Sequence, residues 1–445
     1  MAEHEPQPYI ALARSGARTS ANGAAACRAV PALHPSLLGS PTGEKECRLP
    51  ERSAQVERGY MSQLDSLRFF AVLGVLVLHF WRPNPGLWPL QLNWGELGVR
   101  LFFVLSGFLI TSILLRCRDL AERHPKRRLL LVRQFYIRRF LRIFPIYYLV
   151  LIVLVVTNVA PARELWPWLF SYTTNIWVWQ HQTWPEKVGH FWTLAVEEQF
   201  YLVWPWLVLF LRRTWLIPML FGLTVLAPAY RFYAAGQYPV DAARSFTAGA
   251  LTVAVVDNLA FGALLAILFR SGLGELRVQR LLQRVFLPIG AGSYVLLLAS
   301  SHYGWSRRAM VTFGQTAAAL VFCWVIGRTS RGVGGWVGRF LEYRPLSYLG
   351  KISYGIYVFH YLVPPALIAV AGWLGYGYHE PGPLNFLLGS VVTISLAVLS
   401  WELFERRVNG LKRYFRYEPM PDPEVRGVPA QRDEGRPPAG LGVTS

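Results

Sequence analysis

Charge is scarce in this 445-residue chain: 16% of its residues are Asp, Glu, Lys or Arg, where a soluble domain carries about 25%. Acidic residues are the scarcest, 26 against 45 Lys and Arg. So thin a charged surface argues against a soluble enzyme. Cysteine is scarce as well, with four in all. Cys27 and Cys47 stand in a polar leader, Cys117 at a basic helix end and Cys323 inside an apolar run, and the chain has no CxxC and no HExxH. That excludes a disulfide framework and the common zinc motifs, and no metal site is expected. Residues 1–60 lack both a sustained apolar period and the apolar core of a signal peptide. They are expected to be a disordered leader, with Met61 as the natural start of the protein.

What the chain has is apolar length. Hydrophobic residues make up 53% of it, and Trp, Tyr and Phe 14%, a composition suited to membrane-interface belts. Apolar stretches near 66–82, 97–115, 141–160, 194–211, 215–233, 247–269, 284–300, 309–327, 346–370 and 384–404 are each about long enough to cross a bilayer. The expected fold is therefore all-α, a polytopic membrane protein with about ten transmembrane helices. The membrane-embedded domain spans 61–417, and a disordered cytoplasmic tail spans 418–445. Arginine clusters follow the second, fourth, sixth, eighth and tenth stretches. These alternate loops fall on one side, which the positive-inside rule makes cytoplasmic along with both termini. The net charge of +19 is thus topological, and no nucleic-acid partner is implied.

Ionisable residues inside such segments are costly and point to function. In LDSLRFFAVLGVLVLHF, Arg68 and His79 are eleven residues apart. That spacing returns a helix to within roughly 20° of one face, with about 16 Å between the two along the axis. Taken alone, Arg68 can snorkel and His79 can be interfacial. Arg139 and Arg142, in RRFLRIFPIYY, share a helix face and suit a phosphate or pyrophosphate, or else form a positive-inside flank. Glu197 and Glu198, in FWTLAVEEQFY, suit orienting an imidazole or complementing a helix dipole. Ser106-Gly107 reads as helix packing, because no nucleophile-elbow context surrounds it. Asp257, Glu402 and Glu405 are intramembrane acids able to pair with these arginines.

Taken in order, LDSLRFFAVLGVLVLH, GVRLFFVLSGFLIT, RRFLRIFPIYY, FWTLAVEEQFYLVWP, VDNLAFGALLA, LGKISYGIYVFH and WELFERR resemble the acyltransferase 3 family of membrane O-acyltransferases. The likeness runs over about 62–410. It implies a multi-pass enzyme of the bacterial inner membrane. Such an enzyme moves an acyl group, commonly acetyl, from cytoplasmic acyl-CoA to a hydroxyl of a surface or exported glycan. It implies that His79 is the catalytic base or acyl relay, oriented by Glu197 or Glu198. It also implies that Arg139 and Arg142, with Arg68, bind the phosphates of the acyl-CoA cosubstrate. Two positions depart from the family pattern: Arg100 stands where many relatives carry an acid, and Arg407 where a proline is usual. No fused esterase-like domain is seen, so transfer is completed within the membrane domain or with a separate extracytoplasmic partner. A small secreted glycoside is the alternative acceptor. A transporter of glycans or small solutes is the rival function, although no inverted repeat supports it.

Overall fold

The computed structural model describes residues 50–81, 92–237, 249–302, 307–375 and 382–417. The leader residues 1–49, with Cys27 and Cys47, and the tail 418–445 lie outside the described residues. The described residues form helices joined by turns, with no strand among them.

The first helix, α1 (Pro50–Leu76), begins inside the stretch expected to lack structure and runs into a π-helical turn, Val77–Trp81, that carries His79. The next helices are α2 (Trp94–Arg123), α3 (Arg128–Val156), the short α4 (Trp166–Phe170) and α5 (Thr174–His181), then α6 (Phe191–Phe210) and α7 (Arg213–Gln237). After them come α8 (Thr252–Leu268), α9 (Glu275–Leu281), α10 (Leu287–His302), α11 (Arg307–Thr329), α12 (Gly335–Leu341) and α13 (Arg344–Lys351). The chain closes with α14 (Ser353–Phe359), α15 (Val363–Trp373), α16 (Pro383–Ser400) and α17 (Arg406–Gly410).

Nine of the ten expected apolar stretches overlap one main helix each, the stretch 346–370 is divided among α13, α14 and α15, and residues 82, 247 and 248 lie outside the described residues; fewer than ten qualify as full spans. Among the described residues seven helices are long and apolar enough to cross a membrane, and the bent pair α14–α15 makes an eighth. The shortfall has local causes. α8 has only 17 residues, and α6 dilutes its apolar run with Glu197, Glu198 and Gln199. The α14–α15 pair bends by 53° across a 3-10 turn at His360–Leu362, just ahead of Pro364 and Pro365. Proline in that position disfavours an unbroken helix.

α2 packs between α1 and α8 through glycines at points of backbone contact. A Cβ at Gly98 would collide with the Ala71 carbonyl, one at Gly107 with the Leu259 carbonyl, and one at Gly262 with the Val104 carbonyl. Small residues let backbones approach this closely in lipid, where helix association rests on dispersion rather than on hydrophobicity. The Ser106-Gly107 pair is therefore half packing, at Gly107, and half polar, at Ser106, as the site below makes clear.

Inside this frame α7 and α8 are joined by a buried ion pair that the sequence does not announce. Arg231 donates to both oxygens of Asp257 at 3.1 and 2.9 Å, Thr316 donates to the same carboxylate at 2.7 Å, and Arg231 Nε reaches the Thr312 carbonyl at 2.8 Å. Asp257 thus pairs with Arg231, not with any arginine of the clusters considered above. Breaking one side of a buried pair leaves the other charge uncompensated and costs about 3–5 kcal/mol. Asp257→Ala is accordingly expected to cause marked loss of monodisperse protein on heating in detergent, read by size-exclusion chromatography. A wild-type melting profile would show that the pair carries little of the stability.

Candidate active site

Two apolar clusters fill the described part of the molecule. Four side chains, Val99, Phe102, Phe144 and Tyr354, pack against both. Along that seam lie two cavities.

The inner cavity is lined by Arg68 from α1, Arg139 and Arg142 from α3, and Glu197 and Glu198 from α6, with Ser106, Tyr201 and Tyr354 beside them. Every arginine here is oriented by a neighbouring side chain. Arg68 pairs with Asp65 one turn earlier. Arg139 lies over the Tyr201 ring at 4.9 Å. Arg142 lies over Trp401 at 5.5 Å and donates to the Lys351 carbonyl at 2.8 Å. A guanidinium stacked on a ring keeps its edge N–H groups available to a planar or tetrahedral anion. The neighbouring Arg138 does something else: it donates to the carbonyls of Lys412 and Phe415, both at 3.0 Å, and so ties down the segment after α17. Tyr201 donates to Ser106 Oγ at 3.0 Å, and Ser106 donates to Glu197. Ser106 is thus a hydrogen-bonding link at the cavity wall.

The outer cavity holds His79. Its lining includes His190, Trp184, Trp192 and Tyr361, together with Glu96 and Arg100 near the start of α2. The His79 ring lies 4.9 Å from that of His360 and 4.9 Å from that of Tyr361, while His190 lies 5.0 Å from His360. Main-chain carbonyls fix the tautomers of these rings. His79 Nδ1 donates to Val75 at 2.9 Å, His190 Nε2 to Val358 at 3.2 Å and His360 Nδ1 to Tyr357 at 2.6 Å. In the neutral rings the lone pairs then fall on His79 Nε2, His190 Nδ1 and His360 Nε2. His190 Nδ1 and His360 Nε2 are buried with no hydrogen-bond partner among the described residues, and so are Nε and Nη1 of Arg100. Arg100 is 3% exposed and meets Glu96 at 3.3 Å. Buried polar atoms without partners are rare and call for ligands or water. His190 and Arg100 both line this cavity, and an acceptor with donors there suits a group rich in hydroxyls.

The sequence-predicted residues therefore divide. Arg68, Arg139, Arg142, Glu197 and Glu198 meet at the inner cavity, and His79 stands in the outer one. Arg68 lines one cavity and His79 the other. Between the two cavities lies a partition made of Val99 and Tyr357, the side chains common to both linings. The two glutamates expected to orient His79 line the cavity on the far side of that partition, and the Val75 carbonyl holds Nδ1 instead. The wide π-turn at Val77–Trp81 is the local device that turns His79 toward its cavity, and such turns concentrate at functional sites. His190, His360 and Tyr357 were not singled out from sequence, although His190 opens the FWTLAVEEQ block and His360 closes LGKISYGIYVFH. Among the described residues no three His, Cys, Asp or Glu side chains are grouped to hold a metal ion.

Comparison with known proteins places this architecture. The chain is 28% identical over 398 residues to the peptidoglycan O-acetyltransferase OatA of Listeria monocytogenes, a match covering 82% of this chain and 59% of that protein. It is 25% identical over 389 residues to the O-acetyltransferase OatA of Staphylococcus aureus, covering 80% of this chain and 58% of that one. The chain thus spans well under two thirds of the length of these relatives. No solved structure matches. The acyltransferase domain family matches across residues 61–402, a stretch that holds both cavities, and the chain belongs to that family.

Proposed function

We propose that this protein is a multi-pass O-acyltransferase of a bacterial inner membrane, taking an acyl group, acetyl first among them, from acyl-CoA and placing it on a hydroxyl of a cell-wall or exported glycan. The observation that carries the reading is the pair of cavities in series, one lined by three arginines and the other by a histidine with a fixed tautomer. The arginine-rich loops make the inner side cytoplasmic by the positive-inside rule, which is the side where acyl-CoA is found. The CoA phosphates rest on Arg139, Arg142 and Arg68, with the pantetheine arm directed toward Val99 and Tyr357. On the other side, the acceptor hydroxyl meets His79 Nε2. His190 and Arg100 offer the hydrogen bonds that orient a sugar, and Trp184 and Trp192 offer faces for it to stack on.

In the transfer the thioester C–S bond breaks and a C–O bond to the acceptor forms. His79 accepts the hydroxyl proton, which leaves finally with the thiolate as CoA-SH, so atoms and charge balance. The peptidoglycan named for the Listeria relative makes a cell-wall glycan the first acceptor to test.

The test supplies radiolabelled acetyl-CoA to membranes expressing the full chain. Label is expected in a glycan or protein fraction in proportion to the amount of this protein. No label above vector membranes with any short acyl-CoA, from protein shown to be folded, would overturn the donor assignment.

A further inference from the structure

Tyr357 is the main element of the partition, and it is held there from two sides. Its hydroxyl lies 2.6 Å from Thr193 Oγ1 and donates to the His190 carbonyl at 3.0 Å. Its ring meets Phe102 edge-on at 6.3 Å. It is 7% exposed and lines both cavities. Next to it the helix ends: α14 stops at Phe359, and the chain bends by 53° into α15. In α15 only Val363 is buried, so the far arm of the bend is weakly packed.

The chemistry demands a passage at this point. The three arginines that suit a nucleotide line one cavity, the histidine suited to act on a hydroxyl lines the other, and the side chains that line both are a tyrosine and a valine. We propose that Tyr357 and Val99 form the port through which the acyl group reaches His79, and that the size of this port selects the acyl chain length. The inference rests on the acyl-CoA reading given above. The acyl group, still in thioester linkage to the pantetheine sulfur, passes when the ring shifts, while the charged nucleotide stays with the arginines. Each further methylene must be seated against the ring and the valine methyls. Discrimination of one methylene in such a pocket amounts to about 10–200-fold.

The experiment compares radiolabelled acetyl-, propionyl- and butyryl-CoA as donors in membranes expressing wild type, Val99→Ala, Val99→Phe, Tyr357→Ala or Tyr357→Phe. The readout is the ratio of butyryl to acetyl incorporation at subsaturating donor, which a merely structural defect leaves unchanged. The ratio is expected to rise about 10-fold or more in Val99→Ala and Tyr357→Ala and to fall in Val99→Phe. Tyr357→Phe keeps the ring and is expected to keep the wild-type ratio. Val99→Ala breaks no hydrogen bond, so it stands even where Tyr357→Ala fails to fold. An unshifted ratio in active Val99→Ala overturns the port. So does a butyryl-to-acetyl ratio that does not fall in active Val99→Phe. Wild-type membranes that use no acyl-CoA would instead overturn the donor reading and the port with it, and the two failures are therefore distinct.

Discussion

Replacing His79 by alanine is expected to lower acetyl transfer about 10³-fold, within the range seen when a positioned general base is removed, while the protein stays folded. The ring is only half-buried, so its loss opens no sealed core cavity. Its Nδ1 bond goes to Val75 of the same helical turn, and its ring also meets those of His360 and Tyr361, so folding of the variant is checked by size-exclusion chromatography in detergent. That bond also fixes the chemistry: with Nδ1–H engaged, Nε2 is the basic nitrogen. His79→Asn is the sharper control, since its amide can still donate to the Val75 carbonyl yet offers no base of comparable strength. Both variants should be equally inactive with acetyl-CoA. Activity in His79→Asn within about 10-fold of wild type would reduce the histidine to a positioning role.

The second large effect falls on the donor side. The paired Arg139→Ala and Arg142→Ala substitution is expected to raise the KM for acetyl-CoA about 10²-fold, because a hydrogen bond to a charged group contributes about 1.5–3 kcal/mol. Structural damage would mimic poor turnover, so the discriminating probe is a truncated thioester, N-acetylcysteamine acetyl ester, which carries no phosphate. Wild type should strongly prefer acetyl-CoA over it, and the double variant should lose most of that preference. If the variant keeps its preference, the phosphates lie elsewhere. The arginines need not be interchangeable with lysine: Arg139 stacks on Tyr201 and Arg142 on Trp401, a geometry that an ammonium holds less well.

The membrane architecture was legible because lipid leaves a chain few options: long apolar runs must become helices. The positions of all ten runs could be read directly. What could not be read is how each run behaves once packed. The bend at His360–Leu362, just ahead of Pro364 and Pro365, and the 17-residue length of α8 are local features that hydropathy alone does not mark. The site divides along the same line. The arginines and glutamates of the inner cavity stand out as polar interruptions in apolar helices. The partition does not, because a tyrosine and a valine look like ordinary core. His190 bonds to Val358, 168 positions away, and no local pattern encodes such a meeting. Arg231 hides for a related reason. It sits near the end of an apolar helix, where a cation is commonly an interfacial anchor, and only its pairing with Asp257 exposes it as structural.

The thin wall at Tyr357 and Val99 has an electrical consequence. Water entering the two cavities from opposite faces would carry each bulk potential deep into the protein. Most of the transmembrane voltage would then fall across the partition and not across the whole bilayer. Moving one elementary charge through that drop involves about 2.3 kcal/mol per 100 mV. In the proposed transfer the acyl group that moves outward would be exchanged for the acceptor proton that moves inward to the thiolate, so no net charge would cross the wall and the step would draw nothing from the membrane potential.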